Sequence, residues 1–107
     1  MSLMNMNAEQ FQKNIQGDQP VLVEFMAPWC VYCRRIAPAL EKISGQYGGS
    51  LIFGQVNIDS DPRLAEQEKI EVVPTFVLYQ NGQALGSMTA PDSKAKIEEF
   101  LRQNLNM

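Results

Sequence analysis

The 107-residue sequence contains no histidine, one tryptophan and two cysteines. Each scarcity removes a class of function. Without histidine, the commonest metal ligand and the usual proton donor or acceptor near neutral pH are missing. Two cysteines are too few for the disulfide scaffold with which small secreted domains replace a core. A self-contained structural zinc site takes four nitrogen or sulfur ligands, so it is disfavoured on the same count. No metal and no cofactor is expected. No apolar run approaches the ~20 residues of a membrane span. The start, MSLMNMNAEQ, lacks the basic and apolar regions of a signal peptide. The nine Lys and Arg residues form no run and are outnumbered by twelve Asp and Glu, giving a net charge of −3. Neither nucleic acid nor an anionic membrane is therefore expected as a partner, and a cytoplasmic location is. A hydrophobic fraction of 45% with 20% charged residues is ordinary for a soluble globular protein and argues against disorder. Residues 1–107 are expected to form one domain, with Met1-Ser2-Leu3 ahead of Met4 set aside as candidates for an expression remnant.

What is present is concentrated. Trp29-Cys30-Val31-Tyr32-Cys33 holds both cysteines and the only tryptophan. The surrounding pattern places this cluster at the end of a strand. Phe11 and Ile15 at i, i+4 predict a short helix capped by Asn7. Val21-Leu22-Val23-Glu24-Phe25 is an almost unbroken apolar run, as in strands buried on both faces. From Cys30 to Tyr47 the period becomes helical, with Ile36, Leu40, Ile43 and Tyr47 in one stripe. Pro38 is expected to bend that helix, and Gly45, Gly48 and Gly49 to break it. Residues 51–58 predict a second strand. Asp61 and Pro62 predict the start of a helix running to about Ile70, with Leu64 and Ala65 buried. Thr75–Tyr79 predicts a third strand, Asn81-Gly82 a hairpin turn into Ala84–Met88, and Ser93 the cap of a last helix. The predicted order is α-β-α-β-α-β-β-α, an α/β fold with a mixed sheet and an antiparallel edge.

This placement has chemical consequences. A cysteine at a strand-to-helix turn meets unpaired backbone N–H groups and the positive end of the helix dipole, both of which favour thiolate over thiol. The thiolate is the attacking species in disulfide exchange. Cys33, one turn later, is roughly 5–6 Å away at i, i+3 spacing, within reach of a disulfide. Cys30 at the exposed helix start is thus the expected nucleophile, and the more covered Cys33 the residue that resolves the mixed disulfide. Inert buried thiols are the competing reading, because cysteine is commonly buried.

VLVEFMAPWCVYC followed by Pro38, then VNID at Val56–Asp59, then VPTFVLYQNG at Val73–Gly82, together resemble the thioredoxin family across nearly the whole chain. The resemblance implies the thioredoxin fold, a central mixed β-sheet flanked by helices on both faces. It implies a protein-disulfide reductase that cycles Cys30 and Cys33 between dithiol and disulfide. Its partners would be disulfide-containing protein substrates and a thioredoxin-reductase-like electron donor, with the protein itself expected to be monomeric. A disulfide oxidase or isomerase, or a binding module without turnover, are the alternatives. The resemblance also makes Pro74 a cis-proline beside the cysteines; on its own the residue would read as a trans proline at a strand start. Trp29, Val73, Pro74, Thr89 and Ala90, with Met88, would bind substrate. Glu24 stands where the family commonly carries a buried Asp used in proton transfer, and burial would raise its pKa toward neutrality. A strand-edge glutamate reaching solvent is the other reading.

The departures from the family pattern concern redox tuning. Val31-Tyr32 replaces Gly-Pro between the cysteines, Gln55 replaces a lysine near the buried acid, Met26 a second tryptophan, and Thr89 a glycine beside bound substrate. Arg34 and Arg35 would add positive potential favouring the Cys30 thiolate, while Tyr32 could crowd the site or offer a hydroxyl.

Overall fold

A computed structural model describes residues 3–105. The elements run β1 (Met4–Asn5), α1 (Ala8–Ile15), β2 (Val21–Met26), α2 (Val31–Tyr47), β3 (Ile52–Asn57), α3 (Pro62–Gln67), β4 (Thr75–Gln80), β5 (Gln83–Thr89) and α4 (Lys94–Leu105). They build a five-stranded sheet in the order β1-β3-β2-β4-β5. β3 runs parallel to β1 and β2, whereas β2–β4 and β4–β5 are antiparallel. β2 is therefore the central strand, which explains its unbroken apolar run: Val21 to Phe25 are all buried.

Strand alternation sends side chains to two separate cores. On one face Leu22, Phe53, Phe76 and Leu78 pack with Ile36, Leu40 and Ile43 of α2 and Ile97, Phe100 and Leu101 of α4. On the other, Val21, Val23, Phe25, Val56, Val77 and Tyr79 pack with Phe11 and Ile15 of α1 and Leu64 of α3. Phe11 sits edge-on to Phe25 and Tyr79, with ring centroids 6.0 and 5.1 Å away. The Tyr79 hydroxyl donates to Glu68 Oε1 at 2.6 Å, tying the end of α3 to the sheet. Burial and that acidic neighbour push the Tyr79 pKa up, so the donor proton stays in place.

The local signals mostly hold. Asn7 and Gln10 form a reciprocal capping box. Asn81 and Gly82 both take positive φ, 53° and 79°, as a two-residue hairpin matched to strand twist requires. Ser93 Oγ accepts from the Lys96 amide at 3.2 Å. Four expectations need correction. Strand β1 was not foreseen, because two residues carry no period; Met4 and Asn5 pair with Gly54 and Gln55, and the Met6 amide adds a bond to the Gln55 carbonyl. Gly45 does not break α2: an interior glycine costs only about 1 kcal/mol, less than continuing the apolar stripe to Tyr47 returns. Asp61 precedes Pro62 as expected but makes no side-chain capping bond. Helix α3 stops at Gln67, short of Ile70, because Lys69 turns left-handed (φ 60°) and the Ile70 amide closes back on the Ala65 carbonyl.

Because Phe11 is fully buried between two aromatic neighbours on the sheet, Phe11→Ala should cost about 3–5 kcal/mol. Urea unfolding should show a lowered midpoint with an unchanged slope.

Candidate functional site

The reactive pair lies where β2 leaves the sheet. The chain turns through Ala27 to Trp29, the Cys30 amide bonding back to the Ala27 carbonyl at 3.1 Å, and Cys30 becomes the N-cap of α2. Its backbone is extended (φ −82°, ψ 107°) and its Sγ accepts from the Cys33 amide at 3.1 Å. A helix leaves its first amides without intrahelical acceptors; here a sulfur occupies that position, and no acidic residue in the first turn offsets the dipole. Cys30 and Cys33 are disulfide-bonded, with Cα atoms 5.3 Å apart. Both are covered, at 6% and 5% exposure. This corrects the expected contrast between an exposed Cys30 and a covered Cys33: in the disulfide form both sulfurs lie in a cluster with Ala27, against which Met26, Tyr32, Ile58 and Val73 pack. The two cysteines differ in position rather than in exposure, since only Cys30 faces the helix amides.

An apolar lip surrounds the pair. Trp29 and Val31 are exposed at 63% and 54%, and Val72 at 54%. The Trp29 indole is held by an Nε1–H bond to Asp59 Oδ2 at 3.0 Å, a partner visible in sequence only as the end of VNID. The peptide bond Val73–Pro74 is cis, as the resemblance implied, and the Pro74 carbonyl accepts from the Ala90 amide at 2.9 Å. Thr89 pairs with Thr75 across β4 and β5. Left-handed backbone falls on Ala90 (φ 44°), not Thr89, so Ala90 is the position a glycine would suit. Arg34 extends away to the Pro28 carbonyl at 2.7 Å, and Arg35 is exposed. The Tyr32 hydroxyl donates to the Pro91 carbonyl at 2.9 Å, a contact that sequence reading did not find.

Beneath α2, Glu24 is 1% exposed, not at a strand edge reaching solvent. Alternation along β2 puts it on the face of Leu22, toward α2 and α4. Its Oε1 accepts from Gln55 Nε2 at 2.8 Å, and Oε2 is buried with no hydrogen-bond partner among the described residues. Burial pushes the carboxyl up to about 7, and the Gln55 bond opposes this only partly. A cavity of about 230 Å³ is lined by Cys33 and Gln55 together with Met26, Ala27, Arg34 and Ala37, and so brings the second cysteine and the donor to Glu24 onto one space. Among the described residues there is no cluster of three or more metal-ligating side chains, and no helix is long and apolar enough to cross a membrane.

A disulfide closed across one helical turn, its first sulfur facing helix amides and a cis-proline loop alongside, makes this chain a thiol–disulfide oxidoreductase. The thioredoxin family model matches residues 2–103. The chain is 32% identical over 105 residues to thioredoxin of Buchnera aphidicola, covering 97% of each protein. It is 35% identical to thioredoxin 1 of Nostoc sp. over 88% of each. Among solved structures it resembles the Malassezia sympodialis thioredoxin Mala s 13, with a TM-score of 0.88 and 31% identity over 96% of this chain and 90% of that one. The chain belongs to the thioredoxin family and has the fold and protein-disulfide reductase activity of that family.

The raised Glu24 pKa has a measurable consequence. Between 4.5 and about 7 the folded protein keeps a proton that the unfolded chain has released. Stability should therefore fall as pH rises through that window, by about 3 kcal/mol in total. Glu24→Gln should abolish this slope, so that urea unfolding at about pH 4 and about pH 8 differs less in the variant than in the parent. An unchanged slope would show that Glu24 is not the group that carries this pH dependence.

Proposed function

We propose that Cys30 is the attacking thiolate, Cys33 the resolving thiol and Glu24 the proton acceptor in reduction of disulfide-bonded proteins. The observation that carries this reading is the Cys33 amide aimed at Cys30 Sγ, because it gives one sulfur of an otherwise similar pair a preference for negative charge. In the first step the Cys30 thiolate attacks one sulfur of the substrate disulfide. A Cys30–substrate mixed disulfide forms and the other substrate sulfur leaves as thiolate, which takes up a proton. In the second step Cys33 passes its thiol proton to the Glu24 carboxylate and attacks Cys30 Sγ. The Cys30–Cys33 disulfide closes, the second substrate sulfur departs, and two electrons have moved from protein to substrate. A group with a pKa of about 7 is suited to accept and release that proton near neutrality.

The substrate rests against exposed Trp29 and the segments Val73-Pro74 and Thr89-Ala90. Val31, Tyr32 and Arg34 tune the potential, the first two as the dipeptide that separates the cysteines. A thioredoxin-reductase-like dithiol donor restores the reduced form. We read residues 1–107 as one domain, acting as a monomer in the cytoplasm.

Replacing each cysteine in turn separates the two steps. Cys30→Ser should abolish reduction of insulin, whereas Cys33→Ser should form a mixed disulfide with substrate that persists and is detected by non-reducing electrophoresis. Turnover surviving in Cys30→Ser would reject the assignment. A measured reduction potential near the oxidising end of the family range, around −120 mV, would favour net oxidation of substrates over their reduction.

A further inference from the structure

Tyr32 stands between the two cysteines, yet its hydroxyl is committed elsewhere. It donates to the carbonyl of Pro91, 59 positions along the chain, at 2.9 Å. Its ring packs, alongside Val73, against the cluster of Ala27, Cys30 and Cys33. The residue thus bridges the first turn of α2 and the segment that leaves β5.

That segment needs holding. Ala90 is left-handed at φ 44°, a backbone state that costs a non-glycine residue energy and persists only where neighbours over-determine it. On its outer side the segment borders a cavity of about 260 Å³ lined by Met88, Thr89, Ala90, Pro91, Asp92 and Lys96, so packing is incomplete there. Toward the cysteines two hydrogen bonds secure it. One runs from the Ala90 amide to the Pro74 carbonyl, the other from Tyr32 to Pro91. The first fixes the segment to the cis-proline loop. The second fixes it to the helix that carries the disulfide.

We propose that Tyr32 is a positioning residue for substrate: its hydroxyl latches the Thr89–Pro91 segment beside the disulfide, so that an extended polypeptide carrying the target disulfide meets a preformed rim. This rests on the docking role given above to Val73, Pro74, Thr89 and Ala90. Preorganised contacts improve affinity by removing the ordering cost of binding. The latch therefore acts on polypeptide disulfides, which span the rim, and not on small disulfides, which touch only the sulfurs.

Tyr32→Phe tests the latch because it removes one oxygen and keeps the ring against the cluster. With insulin as substrate, KM should rise about 2- to 10-fold, the range that loss of one neutral hydrogen bond covers, with a smaller change in kcat. The ratio of kcat/KM for insulin to that for a small aromatic disulfide should fall by a similar factor. Amide hydrogen exchange at residues 89, 90 and 92 should quicken while that of α4 does not. A shifted potential with unchanged KM would overturn the proposal, since Tyr32 would then act on the thiols alone. An equal loss toward both substrates would overturn it for the same reason. Val73→Asp, measured in parallel, separates the two readings. If it raises KM for insulin while Tyr32→Phe does not, the latch fails and the docking surface stands; if it leaves KM unchanged, the docking surface fails and the latch with it.

Discussion

The reactive end of the molecule depends on one donor–acceptor pair, the amide of Cys33 facing the sulfur of Cys30. A helix N-terminus cannot satisfy its own first amides, and this chain presents them with a side chain that is useful as an anion. For the arrangement to exist, β2 must end at Met26, the chain must turn through Ala27 to Trp29, and α2 must begin at Val31. Those boundaries are set by the two cores. The buried run Val21–Phe25 anchors the strand at the sheet centre, and the stripe Ile36, Leu40 and Ile43 seats the helix over Leu22 and Phe76. Burial far from the sulfurs thus fixes where the unsatisfied amides point.

Glu24 shows how the same packing shifts an ionisable group at a stability cost. It shares a sheet face with Leu22, and Phe76 lies opposite it on β4, in a position that would suit an aliphatic side chain. Taking a carboxylate out of water penalises its charged form. The single bond from Gln55 offsets only part of that, and one oxygen remains unpartnered among the described residues. A carboxyl that is neither firmly ionised nor firmly neutral at pH 7 is the result. In a protein without histidine, burial thus brings one carboxyl into the near-neutral range.

Much of this was legible in the residues. Apolar spacing placed α1, α2 and α4 and apolar runs the inner strands, because both reflect the faces they bury, while Asn7, Asp61-Pro62, Ser93 and Asn81-Gly82 act locally, where sequence is most informative. The expectations that failed fall where the local signal is weak or misleading. Two-residue β1 has no period, yet Met4 and Asn5 pair with β3 because Met6 finds a place against Gly54. Gly45 reads as a helix breaker, yet α2 continues through it to Tyr47. Cys30 reads as exposed from its place at a helix start, but in the disulfide form it is 6% exposed, in a cluster against which Tyr32 and Val73 pack.

The sequence by itself determined the identity of the reactive atoms: a lone Cys-Val-Tyr-Cys at a strand-to-helix junction has few chemical uses besides disulfide exchange, and its neighbours mark the family. It also pointed to the two-sided burial of β2 through the apolar run Val21–Phe25, while the fate of Glu24 within that run was decided by the fold. Tertiary structure decided what surrounds those atoms. It gave Trp29 its hold on Asp59, made the Val73–Pro74 bond cis, put Ala90 in left-handed backbone, and carried the Tyr32 hydroxyl to Pro91. Two of these, Trp29 to Asp59 and Tyr32 to Pro91, join residues 30 and 59 positions apart. Local propensity does not encode such distances; they arise only when both cores have closed.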